Sequence, residues 1–440
     1  MTKDEKYSIA KWAMEQALEN GAQQARVAIS AYNSSQIEVR EEKIDKLQEA
    51  NRNSMRISLF VDNKYSSIST NRLNNKEELG RFIKEAIAGA RYLSEDEFRT
   101  LPDPDLYYKG DGKELKTIDQ GFSSLDTQQK IDHAFAIEKE ILGKDERIIS
   151  ATAYYSDSMS GSVMVASNGF EGDTESSYYS LNASVSVKNG DARPRGSWGE
   201  SSIFHNDLIT KGIGVMALKR ALDKLGQDKI DSGKMTMIVE NRIARRNMFD
   251  PLISALNGSA LQQKNSFLID RKGEKIGSDL MTIEDDPFIV SGRGSKLFDS
   301  EGLATKKRPV IENGILKNYF IDTYYGKKLE MEPTSGSSTN LVFKPGEKNL
   351  EELIASTSAG ILVTGFNGGN SNGSTGDFSY GIEGFLVENG QLAQAVSGMN
   401  ITGNFKQVWN DLVAVGNDVY TGSSWLLPTL VFDNIDFSGI

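Results

Sequence analysis

The sequence predicts an α+β protein of two domains, a mixed helix and strand domain over residues 1–228 and a mostly-β domain over residues 229–440. Three observations lead to this prediction. The length of 440 residues exceeds that of a typical single domain. Helical and strand patterns alternate through the first half. The second half is strand-like, and 41 Gly against 9 Pro in the chain favour tight turns over proline-rich linkers.

Four helices are predicted in the first domain from apolar residues at helical spacing, at about residues 4–20, 76–93, 127–142 and 207–225. The second is the clearest, because Asn75 can cap it, with Glu78 three residues further on as in a capping box. Strand patterns lie between the helices, including two short ones at 26–29 and 36–39. They predict a hairpin turning at Asp62-Asn63-Lys64 and a second one turning at Asn168-Gly169.

The second domain is predicted to begin with a strand at about residues 235–239 and a helical stretch at about 243–256. From there to the end, short apolar runs are separated by turn pairs such as Asn313-Gly314 and Asn389-Gly390. No repeat period is visible, so a repeat architecture is not predicted.

Composition excludes several functions. The formal net charge of −11 disfavours direct contact with nucleic acid or anionic membranes. Cysteine is absent, which excludes disulfides and thiolate ligands. The sequence has no apolar signal region and no run long enough to span a bilayer, so a cytoplasmic location is expected.

Histidine is scarce. The chain has two, His133 and His205, and neither belongs to a pair one helical turn apart. A helical zinc site requires two imidazoles on one face with a carboxylate beside them. We therefore predict no catalytic and no metal-binding residue of that type, and a charged or solvated role for both histidines.

Two acidic runs leave a carboxylate-bound metal open as an alternative. Glu284, Asp285 and Asp286 form the first run, and Asp299 and Glu301 the second. Hard cations accept such oxygens, although flanking Pro287 and Gly302 are equally typical of turns. The glycine-rich stretch 292–296 lacks P-loop spacing and is a weak nucleotide signal.

The order of motifs in the second half resembles the TldD/PmbA family, which also carries the name modulator of DNA gyrase. The motifs are Ile283-Glu284-Asp285-Asp286-Pro287, Phe298-Asp299-Ser300-Glu301-Gly302, Gly376-Asp377-Phe378-Ser379 and Pro428-Thr429-Leu430 with Asp433. The resemblance is clear over residues 233–440 and looser before them. The stretch 333–340 matches the family's Thr-Gly-Asn loop only in part.

The resemblance implies the PmbA (TldE) branch. TldD-like chains carry His-Glu-x-x-x-His on a helix and a Cys near the C-terminus as zinc ligands. The matching segments here read Phe249-Asp250-Pro251-Leu252-Ile253-Ser254 and Tyr420-Thr421-Gly422-Ser423-Ser424-Trp425, which lack all of these ligands. The resemblance thus implies a subunit that binds no cofactor itself and pairs with a TldD-type zinc peptidase subunit.

Peptides are the substrates that the resemblance implies, held by strand addition. The candidate residues for a peptide cleft or subunit interface are Asn367, Gly368, Gly369, Asp377 and Phe378. Two other readings stay open: a stand-alone hydrolase with a carboxylate-bound metal, and a non-enzymatic regulator linked indirectly to DNA gyrase. A homodimer is expected when the partner is absent.

Overall fold

The structure, a computed structural model, describes residues 1–110 and 112–439 and confirms the predicted α+β class. The first part contains four helices and six strands. The helices are α1 (Lys3–Glu19), α2 (Lys76–Ala90), α3 (Thr127–Lys139) and α4 (Ile213–Leu222). The strands are β1 (Gln24–Arg40), β2 (Lys43–Val61), β3 (Lys64–Thr70), β4 (Ile148–Ala166), β5 (Glu171–Val187) and β6 (Arg195–Ser202).

All six strands form one antiparallel sheet in the order β3-β2-β1-β4-β5-β6. Side chains alternate between its two faces, as the two-residue period of a strand requires. On β1, Val27 and Ile29 face the helices and are fully buried. Arg26 and Ser30 point to the opposite face, which is polar. One face of the sheet is therefore core and the other is free to line a site.

The second part has a different organisation. Its helices are α5 (Asp250–Ser254), α6 (Gly258–Gln262), α7 (Thr323–Leu329), α8 (Leu350–Ala355) and α9 (Phe405–Val408). Its strands are β7 (Gly233–Val239), β8 (Ile283–Asp285), β9 (Arg308–Glu312), β10 (Ile315–Leu316), β11 (Leu341–Phe343), β12 (Ala359–Ser371), β13 (Asp377–Glu388), β14 (Gln391–Asn404), β15 (Leu412–Val415), β16 (Trp425–Leu426) and β17 (Leu430–Ser438). Short 3-10 turns cover 104–106, 122–124, 205–207 and 409–411, and a π-helical turn covers 245–249.

The main sheet of the second part closes on itself. Its order is β14-β13-β12-β7-β17-β15, and β14 also pairs with β17, so five of the strands form a closed barrel. A smaller sheet has the order β10-β9-β8-β11-β16. One large apolar core joins the two sheets, with Phe249, Phe343 and Trp409 at its centre.

The structure differs from the sequence prediction in two elements of the first part. The two short strands expected near 26–29 and 36–39 are one strand, β1, because β2 and β4 pair with it on both sides through its polar middle. The fourth helix starts at Ile213 instead of about residue 207. Gly212 precedes it in the left-handed region, with φ of 82°, and a separate 3-10 turn holds His205–Asp207. No helix or strand crosses residue 228, and the domain boundary itself stays a prediction.

Candidate functional site

A cleft of about 1440 Å³ lies between the polar face of the first sheet and the second part of the chain. The sheet forms one wall. The loop 292–300 forms the facing wall, and Arg245, Ser424 and Trp425 reach the cleft from the helix after β7 and from the C-terminal segment. The cleft therefore brings together part of the Phe298–Gly302 motif and part of the C-terminal segment 420–425, both of which the sequence analysis singled out.

The sheet wall of the cleft is rich in hydroxyl groups. Because alternate residues of neighbouring strands share a face, they form a continuous polar surface. Hydroxyl residues that line it include Ser30, Ser54, Ser58, Ser67, Ser69, Ser162, Thr174 and Ser176. Such a surface can both donate and accept hydrogen bonds. Ala28 and Met164 of the sheet, with Phe298 and Trp425 opposite, add apolar area to the cleft.

The loop wall of the cleft is held rigidly by Asn340. The Asn340 side chain accepts from the Gly294 N–H at 2.7 Å and donates to the Ser295 hydroxyl at 2.8 Å. It also donates to the backbone oxygen of Asp286 at 2.8 Å. A glycine is needed at 294, because a Cβ there would lie 2.4 Å from the Thr339 oxygen. This glycine-rich stretch therefore orients Arg293 and Lys296 into the cleft and does not form a P-loop.

Arg245 contacts the C-terminal segment, and Asp250 lies beside it on the same helix. The Asp250 N–H donates to the Arg245 oxygen, five residues earlier, as in a π-turn, so both side chains share one face. Arg245 Nε lies 3.7 Å from Asp250 Oδ1. Its guanidinium donates to the Ser423 hydroxyl at 3.4 Å and stacks over Trp425 at 4.5 Å.

This arrangement does not fit a zinc ion. A catalytic zinc site takes three protein ligands from imidazole, thiolate or carboxylate. Here a guanidinium, one carboxylate and one hydroxyl converge, and the positive guanidinium would repel the cation. Among the described residues, no group of three or more His, Cys, Asp or Glu side chains could hold a metal ion.

The sequence places the two lost ligands at Phe249 and Ser254. Phe249 is fully buried against Phe343 and Trp409, so its ring belongs to the core. The register of this helix against the family motif stays a prediction.

The first acidic run is bound by cations and hydrogen-bond donors. Asp285 is 1% exposed, lies 3.1 Å from Arg308 and accepts from the N–H and hydroxyl of Thr339. Glu284 and Asp286 share Lys307 at 2.7 and 3.0 Å. This run joins β8, β9 and the loop before β11, which is a structural role.

The second acidic run is engaged in the same way. One oxygen of Asp299 accepts from the N–H groups of Glu301 and Leu303, and burial raises the pKa of Asp299. Glu301 accepts from the Thr323 N–H at 2.8 Å and lies 3.8 Å from Arg26. These contacts give no support to a carboxylate-bound metal.

Three of the five predicted cleft residues lie on an exposed strand end. Asn367 and Gly368 form the unpaired part of a bulge in β12, and Gly369 follows with φ of 98°. β7 pairs with β12 only as far as Val363, and from Asn367 the strand is exposed. Within the described chain, no strand pairs with this edge of residues 364–371. It is available for strand addition.

A second, smaller cavity of about 380 Å³ separates this edge from the helix 246–254. Gly369, Asn370 and Ser371 line it on one side, and Asp250 and Ser254 on the other. Asp250 therefore lines the smaller cavity and Arg245 lines the large cleft, and the contact between these two residues lies where the two cavities adjoin.

The other two predicted residues begin β13. Phe378 is 5% exposed and packs on Tyr380 and Phe405 in the core, so its ring cannot contact a peptide, and we correct the prediction for this residue. Asp377 is exposed and accepts from Asn404 and Thr375, each at 2.7 Å. Its place in a peptide cleft or subunit interface stays a prediction.

The two histidines contact each other, contrary to the solvated roles expected from sequence. Their Nε2 atoms lie 3.1 Å apart, and His133 stacks on the Tyr155 ring. The backbone N–H of His205 donates to the Asp119 carboxylate at 3.0 Å. Burial, and then the neighbouring His205, lower the pKa of His133. The pair joins α3 to the turn before α4.

Acid is expected to destabilise the protein through His133. Because its folded pKa lies below its unfolded value of about 6.5, the unfolded chain takes up the proton first. The contribution is fully present above about pH 6.5 and is lost as pH falls toward the folded pKa. Urea unfolding between pH 8 and pH 5 checks this, and His133→Gln should reduce the pH dependence. The same slope in both proteins would contradict it.

The described residues contain no helix long and apolar enough to cross a membrane.

Residues 121–225 match the family described as the PmbA/TldA metallopeptidase central domain. Residues 232–439 match the PmbA/TldA metallopeptidase C-terminal domain.

Individual relatives extend the similarity to the whole chain. A "Metalloprotease PmbA homolog" of Haemophilus influenzae is 29% identical, covering 97% of this chain and 95% of the relative. A protein of Bacteroides thetaiotaomicron described as a modulator of DNA gyrase has a crystal structure that is similar with a TM-score of 0.98 and 52% identity, covering 100% of both chains. TldE from Thermococcus kodakarensis shares the fold, with a TM-score of 0.87 and 21% identity over 98% of this chain and 100% of that one.

Proposed function

Because this chain belongs to the PmbA/TldD metallopeptidase family, we propose that it is the TldE-type subunit of a two-chain peptidase that acts on unfolded peptides. In this complex a TldD-type chain carries the zinc ion. The present chain carries none and completes the peptide-binding surface.

The Arg245–Asp250 pair is the observation that carries this proposal. Arg245 lies beside Asp250, and its guanidinium stacks on Trp425 and donates to Ser423 of the C-terminal segment. A positive charge therefore lies between the two segments that match the ligand-bearing segments of TldD-like chains. A chain with this pair needs a partner to supply zinc chemistry, which is Lewis-acid activation of water and of the peptide carbonyl.

The free edge of β12 supports the role in peptide binding. An extended peptide can hydrogen-bond to the exposed main chain of residues 364–371 with little demand on its sequence. Glycine is required at 369, because a Cβ there would lie 2.0 Å from the Ser379 oxygen. The bulge at Asn367 and Gly368 turns this edge toward the helix, which suits a segment that must present a peptide to a neighbouring subunit.

Co-expression with a TldD-type chain from the same source tests the pairing. We expect one stable hetero-complex with equal amounts of the two chains on size-exclusion chromatography. The chain expressed alone should give a homodimer instead. Failure of the two chains to co-elute over a range of protein concentrations would contradict the proposed pairing.

The two alternatives from the sequence make different predictions. A stand-alone hydrolase requires a metal bound by carboxylates, but the acidic runs are held by Lys307, Arg308 and backbone N–H groups. A regulator without a peptidase partner is suggested only by the description of relatives as modulators of DNA gyrase. A pull-down that recovers gyrase and no TldD-type chain would favour the regulator.

A further inference from the structure

The large cleft has a charge balance opposite to that of the whole chain. Its cationic lining residues are Arg26, Arg56, Lys113, Arg245, Arg293 and Lys296. Its acidic lining residues are Glu114, Asp173, Glu175 and Asp299. The chain as a whole has a net charge of −11. A positive cleft in an acidic protein concentrates the potential that attracts anions at one place.

Lys296 is a half-buried cation of the loop wall. Its ammonium donates to the Ser337 hydroxyl at 3.3 Å, and no carboxylate of the described residues lies within 4.0 Å of it. Burial lowers its pKa, and the more distant Asp299 and Asp285 oppose this effect. Because the ammonium is partly desolvated and has no paired carboxylate, an incoming anion would be stabilised there.

Arg293 is fixed in place by neutral groups. Its guanidinium lies 4.1 Å from the centre of the Tyr178 ring and donates to the Ser201 hydroxyl and the Gly422 oxygen. Among the described residues it has no carboxylate within salt-bridge distance either. Arg293 and Lys296 stand three residues apart on the loop that Asn340 anchors, so their positions are set before any ligand arrives.

Asp173 and Asp299, two of the four cleft carboxylates, have limited power to neutralise these cations. Asp173 is paired with Lys3 of α1 at 2.8 Å. Asp299 directs one oxygen to backbone N–H groups, and its pKa is raised by burial, which favours the neutral form. The wall opposite the loop offers hydroxyl groups that can bond to the main chain of an extended peptide.

We propose that this cleft binds acidic segments of unfolded peptides, whose carboxylates neutralise Lys296 and Arg293. The inference rests on the proposed function and names the substrate class of that same subunit. The protein as a whole is acidic and repels such a peptide, so the peptide is expected to bind only in the cleft.

Fluorescence anisotropy with the full chain tests the inference. The probes are two labelled, unfolded peptides of equal length that differ only in having glutamate or glutamine at the same positions. We expect the glutamate peptide to bind at least about tenfold more tightly than the glutamine peptide. Lys296→Met should weaken binding of the glutamate peptide by about the same factor and leave binding of the glutamine peptide unchanged. Lys296→Arg should restore the preference, because it keeps the charge. Lys84→Met, an exposed lysine of α2, is the matched control and should change nothing.

The comparison of the two peptides on the unmodified chain tests the proposed preference for acidic peptides by itself, so the test does not depend on the folding of any variant. Equal affinity for the two peptides would overturn the inference. Displacement of the glutamate peptide by inorganic phosphate, but not by acetate at the same concentration, would also overturn it and assign the cations to phosphate. If the hetero-complex still forms in either case, the proposed function stands. Loss of all peptide binding together with loss of pairing would count against the proposed function.

Discussion

Replacing Asp285 with asparagine is expected to lower the free energy of unfolding by about 3–5 kcal/mol. The Arg308 side chain is 11% exposed and would keep its charge without its partner, 3.1 Å away. Asparagine can still accept from Thr339, so the loss reports the missing charge together with the missing hydrogen bond from Arg308. Urea unfolding followed by circular dichroism measures the change.

Glu284→Gln is the matched control for this prediction. Glu284 is the adjacent residue, but it pairs with Lys307 at the surface. The Glu284 side chain is 40% exposed and the Lys307 side chain is 52% exposed. Such a surface pair contributes about 0–1 kcal/mol, so this variant should unfold close to the parent. If Asp285→Asn left stability unchanged but removed a bound metal, the alternative of a carboxylate-bound metal would be correct and the structural role assigned to this run would be wrong.

A chain carrying Arg245→His, Asp250→His and Ser423→Cys is expected to bind one zinc ion, with a Kd of about 1 μM or tighter. The three side chains already converge, since Arg245 contacts both Asp250 and Ser423. Removing the guanidinium removes the repulsion, and two imidazoles with one thiolate form a common zinc ligand set. Elemental analysis and competition with a colorimetric chelator measure the binding.

The matched control moves the same ligands by about one helical turn. Phe249→His, Ser254→His and Ser423→Cys place one imidazole in the apolar core, where Phe249 is fully buried. This variant should bind no zinc and should be destabilised by about 3–5 kcal/mol, as for a large core residue replaced by a poor fit. Zinc binding by the control and not by the first variant would contradict this prediction and would support the register predicted from sequence.

Local patterns predicted much of the fold. Asn75 caps α2 by accepting from the Glu78 N–H, as its spacing predicts, but the Glu78 side chain pairs with Arg72 instead of completing a capping box. The turn pairs at 62–63, 168–169 and 389–390 each connect two paired strands. These features depend on neighbours in sequence, and their physical cause is therefore readable from a single chain. The family resemblance rested on motif order and was confirmed over residues 232–439.

Features that depend on distant contacts were not predictable. Asp285 meets Thr339 and His133 meets His205 across 54 and 72 residues of sequence. The burial of Phe378 depends on Phe405 and Tyr380, so its exposure could not be judged from its own strand. The π-turn at residues 245–249 is invisible to a search for the ordinary helical period.

Titration of a TldD-type chain with this chain tests the central claim most directly. The rate of cleavage of an unfolded peptide and the zinc content of each purified protein are measured together. We expect no zinc and no cleavage for this chain alone, and a rate that rises with added chain to a plateau at equal amounts, with zinc only in the TldD-type chain. Stoichiometric metal in the isolated chain, with cleavage that the partner does not increase, would contradict the account.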